Sequence, residues 1–210
     1  MNVLELFAGS RSIGKAAESL SMNVFSSDIN AFDNIDYVVD ILDFDVKNVP
    51  FIPDVIWASP PCTTYSIAAI SHHRDGQKPR TPFAEKSDRM IKKIHEIIDH
   101  FTTINPNVIY FIENPRGMLR KMDFMKRHAI RHCVTYCQYG DKRMKPTDIW
   151  TNTLMWNPRP MCKNGMPCHE AAPRGSKTGT QGLKGNYQRS KIPNQLCLEI
   201  LNSTTYAQCS

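Results

Sequence analysis

A cysteine preceded by two prolines is the first candidate for chemistry in this chain. The stretch "DVIWASPPCTTYSIAA" (54–69) runs from four apolar residues into Pro60, Pro61 and Cys62. Because each proline ring fixes φ, two in succession would hold a thiol in one direction at the mouth of a site. A free thiol is mostly protonated near pH 7, so a nucleophilic Cys62 needs activation or a preorganised partner. A plain strand end with a half-buried cysteine is the alternative.

A carboxyl group ends another apolar segment. The stretch "FIENPRG" places Glu113 after a hydrophobic run, and Asn114 and Pro115 follow it. Burying an unpaired carboxylate is costly, so a carboxyl group in this position is usually functional or hydrogen-bonded. Cys62 and Glu113 are therefore two candidates for one site.

Alternating strands and helices are predicted to position these groups. The amphipathic segment 85–104 predicts a long helix, and 12–22 predicts a short one. The pattern predicts an α/β fold with a doubly wound, mostly parallel sheet. The predicted strands lie in the segments 2–8, 23–30, 35–44, 54–60, 107–114 and 128–140.

The carboxyl ends of these strands collect the polar candidates. In open parallel sheets, ligands bind outside the carboxyl ends of the strands. The residues found there are Gly9, Asp28, Asp40, Cys62 and Glu113. One crevice could hold them all.

The first turn has features of a nucleotide site. The stretch "ELFAGSRSIG" reads as strand, turn and helix, in which Gly9 and Gly14 would let the chain pass close to a ligand. It lacks the full dinucleotide glycine fingerprint. Asp28 at the end of the second strand is placed to hold ribose hydroxyls, or it caps the next turn.

Composition limits the class of protein. The chain has 210 residues, of which 41% are hydrophobic and 22% charged, which suits one globular domain with a core. No apolar run approaches the roughly 20 residues of a membrane helix. The start of the chain lacks the features of a signal peptide, so a cytoplasmic protein without a membrane partner is expected. The seven cysteines then favour free thiols or metal ligands over disulfides.

The basic residues are concentrated in one half of the chain. Residues 116–191 contain 16 of the 26 Lys and Arg but 4 of the 20 Asp and Glu. This distribution is typical of a protein that meets a polyanion, although a solvated surface would look similar.

Together these motifs resemble the cytosine-5 DNA methyltransferase family over most of the chain. The nucleophile motif is "PPCTTYS", and the glutamate motif is "ENPRG". The segments "ELFAGSRSIG", "QYGDKRMKPTDIW" and "RSKIPNQLCLEI" resemble the cofactor turn, a basic motif and a segment that returns to the cofactor pocket. The resemblance implies a Rossmann-like fold that uses S-adenosylmethionine, with a catalytic core over 1–150 and a C-terminal segment over 189–210.

The resemblance also implies site residues. Cys62 would add to carbon 6 of a cytosine flipped out of double-stranded DNA, Glu113 would hold the ring edge, and Arg143 and Lys145 would contact the base or a phosphate. Asp28 would bind the cofactor's ribose and Asp40 its adenine. The full predicted cofactor set is Phe7, Ala8, Gly9, Ser10, Asp28, Ile29, Asp40, Ile41 and Pro60. The segment after Cys62, residues 66–83, would be a mobile loop that closes over the base; an ordinary surface loop is the alternative.

The predicted recognition region is short. Residues 151–188 form a loop-dominated insertion, so specific readout is limited. The protein would then recognise a short site, use an accessory protein, or have lost specificity. Arg174 and Lys177 there are suited to a phosphate backbone. Cys162, Cys168 and His169 are acceptable zinc ligands, with a fourth from Cys133 or Cys137; free cysteines are the alternative.

Two other functions stay open at this stage. An RNA cytosine-5 methyltransferase on the same scaffold would share the basic surface. A binding protein without catalysis would not need both Cys62 and Glu113.

Overall fold

A computed structural model describes residues 1–171, 183 and 185–206. The predicted phosphate contacts Arg174 and Lys177 lie outside the described residues. The strands are β1 Asn2–Leu6, β2 Asn23–Asp28, β3 Tyr37–Val38, β4 Val55–Ala58, β5 Arg74–Asp75, β6 Lys78–Pro79, β7 Ile109–Pro115, β8 Ile130–Thr135 and β9 Pro146–Thr151. The α-helices are α1 Ser12–Ser19, α2 Ile70–His73, α3 Pro82–Ile104, α4 Asn186–Ser190 and α5 Asn194–Tyr206.

Seven strands form one sheet in the order β3-β2-β1-β4-β7-β9-β8. The pairs from β3 to β7 are parallel, whereas β9 is antiparallel to both β7 and β8. The predicted doubly wound, mostly parallel sheet is therefore confirmed. β5 and β6 form a separate small hairpin.

Both faces of the sheet are covered, as the apolar runs of the central strands require. On one face, Val55 and Trp57 of β4 pack with residues of α1 and α5. On the other face, Ile56 and Ala58 pack with the apolar stripe of α3. The stripe on α3 is Met90, Ile91, Ile94, Ile97, Ile98 and Phe101.

The long helix α3 begins where the chain supplies a cap. Thr81 accepts a hydrogen bond on its side chain from the backbone N–H of Ala84 at 3.2 Å, and Pro82 occupies the first turn. Both features favour a helix start. No helix in the described ranges is long and apolar enough to cross a bilayer.

The structure differs from the sequence prediction at two edges of the sheet. The third strand shortens to Tyr37–Val38, because Asp40 caps a 3₁₀ turn at Ile41–Asp43 through the N–H of Leu42. At the other edge, β9 inserts antiparallel between β7 and β8. Beyond Thr151, the described part of the 151–188 insertion has no helix or strand before α4.

A buried histidine pair joins α3 to the segment before β8. His95 and His128 share a hydrogen bond between their Nε2 atoms at 2.9 Å, and the Tyr110 hydroxyl lies 2.8 Å from His128 Nδ1. Burial lowers the pKa of His95 to about 4 and that of His128 to about 3. Both rings are therefore neutral in the folded protein at neutral pH.

We expect the free energy of unfolding to fall as the pH drops from about 6.5 towards 4. In this range the unfolded chain binds protons at both histidines and the folded chain does not, at about 1.4 kcal/mol per pH unit per proton. His95→Gln retains a polar partner for His128. It should lower by about one the number of protons taken up on unfolding, and so reduce the slope of the free energy of unfolding against pH. Urea denaturation at several pH values measures it.

The exposed His100 of α3 provides the control. His100→Gln should keep the slope of the unchanged protein. Identical slopes for all three proteins would contradict the assignment of the acid sensitivity to the buried pair.

Candidate active site

Two loops leave neighbouring strands at the same edge of the sheet. β4 and β7 are parallel, with Ala58 opposite Ile112. Glu113 follows Ile112 directly, and Cys62 lies four residues after Ala58. The register of one strand pair thus brings the two predicted catalytic groups to one end of the sheet.

Asn114 joins the two loops. Its side-chain amide donates a buried hydrogen bond of 2.9 Å to the carbonyl of Pro60. Gly117 packs against the other side of the cysteine loop, where a β-carbon would overlap the carbonyl oxygen of Tyr65. The motif "ENPRG" contains Asn114, but the sequence alone indicates no role for it. Its position next to Glu113 was the available signal.

Burial raises the pKa of the Cys62 thiol. The positive charge of Lys145 opposes this shift, and the negative charge of Glu113 adds to it. The resting thiol is therefore protonated at neutral pH, and among the groups that favour the thiolate Lys145 has the largest effect.

Glu113 is held from one side. The Tyr136 hydroxyl donates to Glu113 Oε1 at 2.8 Å, and burial keeps the pKa of Tyr136 well above its usual value, so it remains a donor. Lys145 Nζ lies 3.8 Å from the same oxygen and 4.7 Å from the centre of the Tyr136 ring. Within the described residues, the second oxygen, Oε2, has no hydrogen-bond partner. The carboxyl group is thus oriented by one oxygen and can offer the other to a ligand.

Arg143 is engaged by the protein itself. Its guanidinium forms an ion pair with Asp141 and donates to the backbone carbonyls of Arg189 and Lys191 at 3.2 and 3.1 Å. Lys145 Nζ also lies 3.4 Å from the carbonyl of Arg189. The geometry makes Arg143 an anchor for the C-terminal segment, and its catalytic role stays a prediction.

The turn after β1 is strained. Phe7, Gly9 and Arg11 all have left-handed φ, at 57°, 50° and 52°. Such conformations are costly for residues with a β-carbon and persist where the surroundings impose them. One restraint is Asp28, which accepts a 2.9 Å hydrogen bond from Gly9 N. Asp28 also caps the next turn through Asn30 N at 2.9 Å, as the alternative reading of this residue proposed.

Glu5 lies beneath this turn and fixes the start of α1. Its buried carboxyl group accepts from Ile13 N at 3.1 Å and from the Ser26 hydroxyl at 3.0 Å, and burial raises its pKa to about 7. A β-carbon at Gly14 would lie 2.7 Å from Glu5 Oε2. Gly14 therefore makes room for Glu5 rather than for a ligand, which corrects the sequence interpretation.

The C-terminal segment lies against the same turn. Ile192 N donates to the Ser12 hydroxyl at 3.1 Å, and Ser190 Oγ lies 3.8 Å from the β-carbon position of Gly9. The Tyr187 ring contacts Phe32, which follows β2, at 5.4 Å between ring centres. The turn, the end of β2 and the C-terminal segment thus surround one region.

The remaining predicted cofactor residues differ in accessibility. Ala8 and Ser10 are buried in the turn, whereas Ile29 is 57% exposed beyond β2. Asp40 is already occupied, because Oδ1 accepts from Leu42 N and Oδ2 pairs with Lys86 Nζ at 2.6 Å. The hydrogen bond from Lys86 holds the pKa of Asp40 below its usual value. Ile41 is buried beneath the same 3₁₀ turn.

The segment after Cys62 is fastened at its centre. Arg74 is buried, donates to the carbonyl of Thr64 at 2.9 Å, pairs with Asp88 and lies 4.3 Å from the centre of the Tyr65 ring. The centre of the segment 66–83 is thus anchored to α3 in this structure, and movement of the segment over a base stays a prediction. Ile67, between Cys62 and this anchor, is 75% exposed, and residues 75–78 on the other side of the anchor are exposed as well.

A group of metal-binding side chains lies beside the site. The ligand atoms of Cys137, Cys162, Cys168 and His169 all lie within 4.8 Å of one another. Of the two predicted alternatives for the fourth ligand, the structure brings Cys137 to the group. Cys133 lies by Arg120 and Asp148 instead.

The fold and these loops define a class. A Rossmann-like sheet with a Pro-Pro-Cys loop and a Glu-Asn loop on adjacent strands is the arrangement implied by the cytosine-5 methyltransferase motifs. The chain is 26% identical over 219 residues to a "probable DNA (cytosine-5)-methyltransferase" of Frog virus 3, with 96% of this chain and 99% of that protein covered. This relative confirms the family resemblance. No family model matches the chain.

Two solved structures are similar over part of their length. A mutant of Spodoptera frugiperda DNMT2 is 20% identical with a TM-score of 0.47, and S. pombe Dnmt2 methyltransferase is 16% identical with a TM-score of 0.48. They cover 79% and 72% of this chain, which spans 57% and 49% of theirs.

We expect Lys145→Met to slow alkylation of Cys62. Removing the positive charge takes away the largest effect that opposes burial, so the pKa of the thiol rises further and less thiolate is present at pH 7.5. Residue-resolved mass spectrometry after iodoacetamide pulses across pH should show a several-fold lower rate and a higher midpoint. Lys126→Met, at an exposed lysine paired with Asp123, is the control and should change neither. An unchanged midpoint in Lys145→Met would show that this charge does not reach the thiol.

We expect Gly117→Ala to displace the cysteine loop. The added methyl group meets the Tyr65 carbonyl, and relieving the overlap should cost about 1–3 kcal/mol of stability. Thermal denaturation measures the cost, and Cys62 alkylation reports the loop. Gly76→Ala is the matched control, since it introduces backbone strain at φ 56° with no atom within 4 Å. If both variants left alkylation unchanged, Gly117 would have no part in placing Cys62.

Proposed function

We propose that this chain is an S-adenosylmethionine-dependent methyltransferase that acts on carbon 5 of cytosine in DNA. The observation that carries the proposal is the pairing of the Cys62 loop with Glu113 through the hydrogen bond from Asn114 to Pro60. A protein that only binds nucleic acid needs neither a half-buried thiol on a proline-stiffened loop nor an oriented carboxyl group beside it. The name of the viral relative supports DNA as the substrate.

The residues near the first turn fit the cofactor. Gly9 faces the C-terminal segment without a side chain, and Asp28 ends β2 beside it. These residues, with Phe7 and Ser10, would hold S-adenosylmethionine outside the carboxyl ends of β1 and β2, where open parallel sheets bind ligands. When bound, the cofactor supplies an electrophilic methyl group.

The protein's own groups would prepare the base. Cys62, as the thiolate, forms a bond from sulfur to carbon 6, and the electron pair of the ring double bond moves towards carbon 5. Glu113, oriented by Tyr136 and Lys145, hydrogen-bonds the ring edge and stabilises the resulting enamine. After carbon 5 has been substituted, a base accepts its proton, the electron pair of that carbon–hydrogen bond re-forms the ring double bond, and the sulfur–carbon bond breaks to release the thiolate.

The basic half of the chain supports a nucleic-acid substrate but does not select DNA over RNA. Phosphate contacts by Lys and Arg are independent of sequence, and they would serve either polymer. The described part of the insertion is small, so a short recognition site or an accessory protein stays a prediction. Cytoplasmic location also stays a prediction.

The test uses trapping of the covalent intermediate. With 5-fluorocytosine, carbon 5 has no proton to lose, so the adduct with Cys62 should persist through denaturation. Duplex DNA and a hairpin RNA, each carrying this base, are incubated with the protein and tritiated S-adenosylmethionine. We expect a labelled protein–DNA adduct, more than tenfold above the RNA adduct.

Two variants separate the outcomes. Cys62→Ser should abolish the adduct while retaining DNA binding, whereas Cys133→Ser should form it normally. An adduct with RNA alone would replace DNA by RNA as the substrate. Cofactor binding without any adduct on either polymer would overturn the catalytic proposal in favour of a binding protein.

A further inference from the structure

We propose that Cys137, Cys162, Cys168 and His169 bind one structural zinc ion that fastens the insertion to the catalytic core. The Sγ atoms of Cys162 and Cys168 lie 3.2 Å apart, and Cys162 Sγ lies 3.3 Å from His169 Nδ1. Cys168 Sγ lies 3.7 Å from Cys137 Sγ and 3.9 Å from His169 Nδ1. These distances are too long for a disulfide or any other covalent bond between the atoms.

The spacing matches a tetrahedral ion. With Zn–S near 2.3 Å and Zn–N near 2.0–2.1 Å, the edges of the tetrahedron are about 3.8 Å between sulfurs and about 3.6 Å from sulfur to nitrogen. The four distances given above scatter around these values, and all four ligand atoms lie within 4.8 Å of one another. A disulfide between Cys162 and Cys168 would leave Cys137 and His169 without a reason to converge there.

The donor set selects the metal and the role. Three thiolates and one imidazole are typical ligands of zinc, and four protein ligands leave no open position for a substrate. Gln138 supports the set, because its side-chain amide lies 3.4 Å from Cys168 Sγ, where an N–H can donate to a thiolate. The site is therefore structural rather than catalytic.

The insertion has little regular structure of its own, although Trp156 packs into the main core. Its described part has no helix or strand before α4, and several apolar side chains face outward instead of forming a core. Small loop-rich modules of this kind commonly gain their folding energy from a metal. The exposed apolar side chains are Leu154, Met155, Met161 and Met166.

The proposed ion would join two separate parts of the chain. Cys137 lies in the 3₁₀ turn Tyr136–Tyr139 of the core, and the other three ligands belong to the insertion. Hydrogen bonds already follow this seam: Cys162 N donates to the Thr135 hydroxyl at 2.8 Å, and Arg159 N donates to the Tyr139 hydroxyl at 2.9 Å. The ion would fix the same turn from which Tyr136 contacts Glu113.

The metal content of the chain tests the site. Protein purified under reducing conditions should contain about one zinc per chain by plasma mass spectrometry. Cys168→Ser and Cys137→Ser should each lose most of it. Cys133→Ser is the matched control at the neighbouring cysteine that the structure places elsewhere, and it should retain the metal. Cobalt substitution should give the intense absorption of a tetrahedral thiolate site.

The proposal would be overturned if the chain held less than one tenth of a zinc and gave no tetrahedral cobalt spectrum. Equal loss of metal in Cys133→Ser would also overturn it. So would a Cys162–Cys168 disulfide in the reduced preparation. Because Cys137→Ser could disturb folding, limited proteolysis supplies a second readout. Chelation of the intact protein should expose cleavage sites at Arg159 and Lys163 while the sheet remains protected, and unchanged cleavage would also count against the site.

The effect on Glu113 rests on the proposed function, but the metal content does not. Cys62→Ser should therefore bind zinc fully while forming no adduct. Chelation should reduce adduct formation by the unchanged protein several-fold, with recovery on addition of zinc. Full zinc binding without any adduct in the unchanged protein would count against the catalytic proposal alone.

Discussion

The hydrogen bond from Asn114 to the carbonyl of Pro60 is the constraint on which the site depends. Two loops that leave adjacent strands would otherwise move independently, and a covalent catalyst requires its nucleophile and its orienting carboxyl group within a fraction of an ångström. The bond is buried, where it is stronger than in water. The close approach of Gly117 to the Tyr65 backbone also limits the separation of the two loops, on the other side of the Cys62 loop. The prolines stiffen the Cys62 loop, and the hydrogen bond from Asn114 fixes its position relative to Glu113.

Buried polar groups have a comparable part at the cofactor turn. Glu5 connects β1, the start of α1 and Ser26 of β2, so one carboxyl group holds three elements together. Its raised pKa shows how costly its ionised form is there. The left-handed residues of the turn persist because Glu5 below and Asp28 beside it restrain the backbone. The shape of the turn is therefore imposed by polar contacts more than by the glycines in it.

The sequence predicted most of the architecture because its signals were local. Apolar runs and the stripe on α3 have a periodicity that can be read directly, and the strand ends of a parallel sheet must meet at one edge. The position of β9 could not be read in this way, since antiparallel insertion depends on pairing between residues distant in sequence. The anchoring of Arg74 was hidden for the same reason: its partners Thr64 and Asp88 lie ten and fourteen residues away.

In the candidate site, too, some residues have local sequence signals, whereas others are placed by contacts between distant parts of the chain. Cys62 and Glu113 carry motifs that identify them residue by residue. Of the two groups that orient Glu113, Lys145 lies within the predicted basic motif, whereas Tyr136, which follows β8, was not predicted as a site residue. Arg143 shows the reverse case, in which a basic residue within a motif-like segment is used by Asp141 and by the C-terminal backbone. Residue type thus indicates which chemistry is available, whereas the long-range hydrogen bonds determine which groups remain available to a substrate.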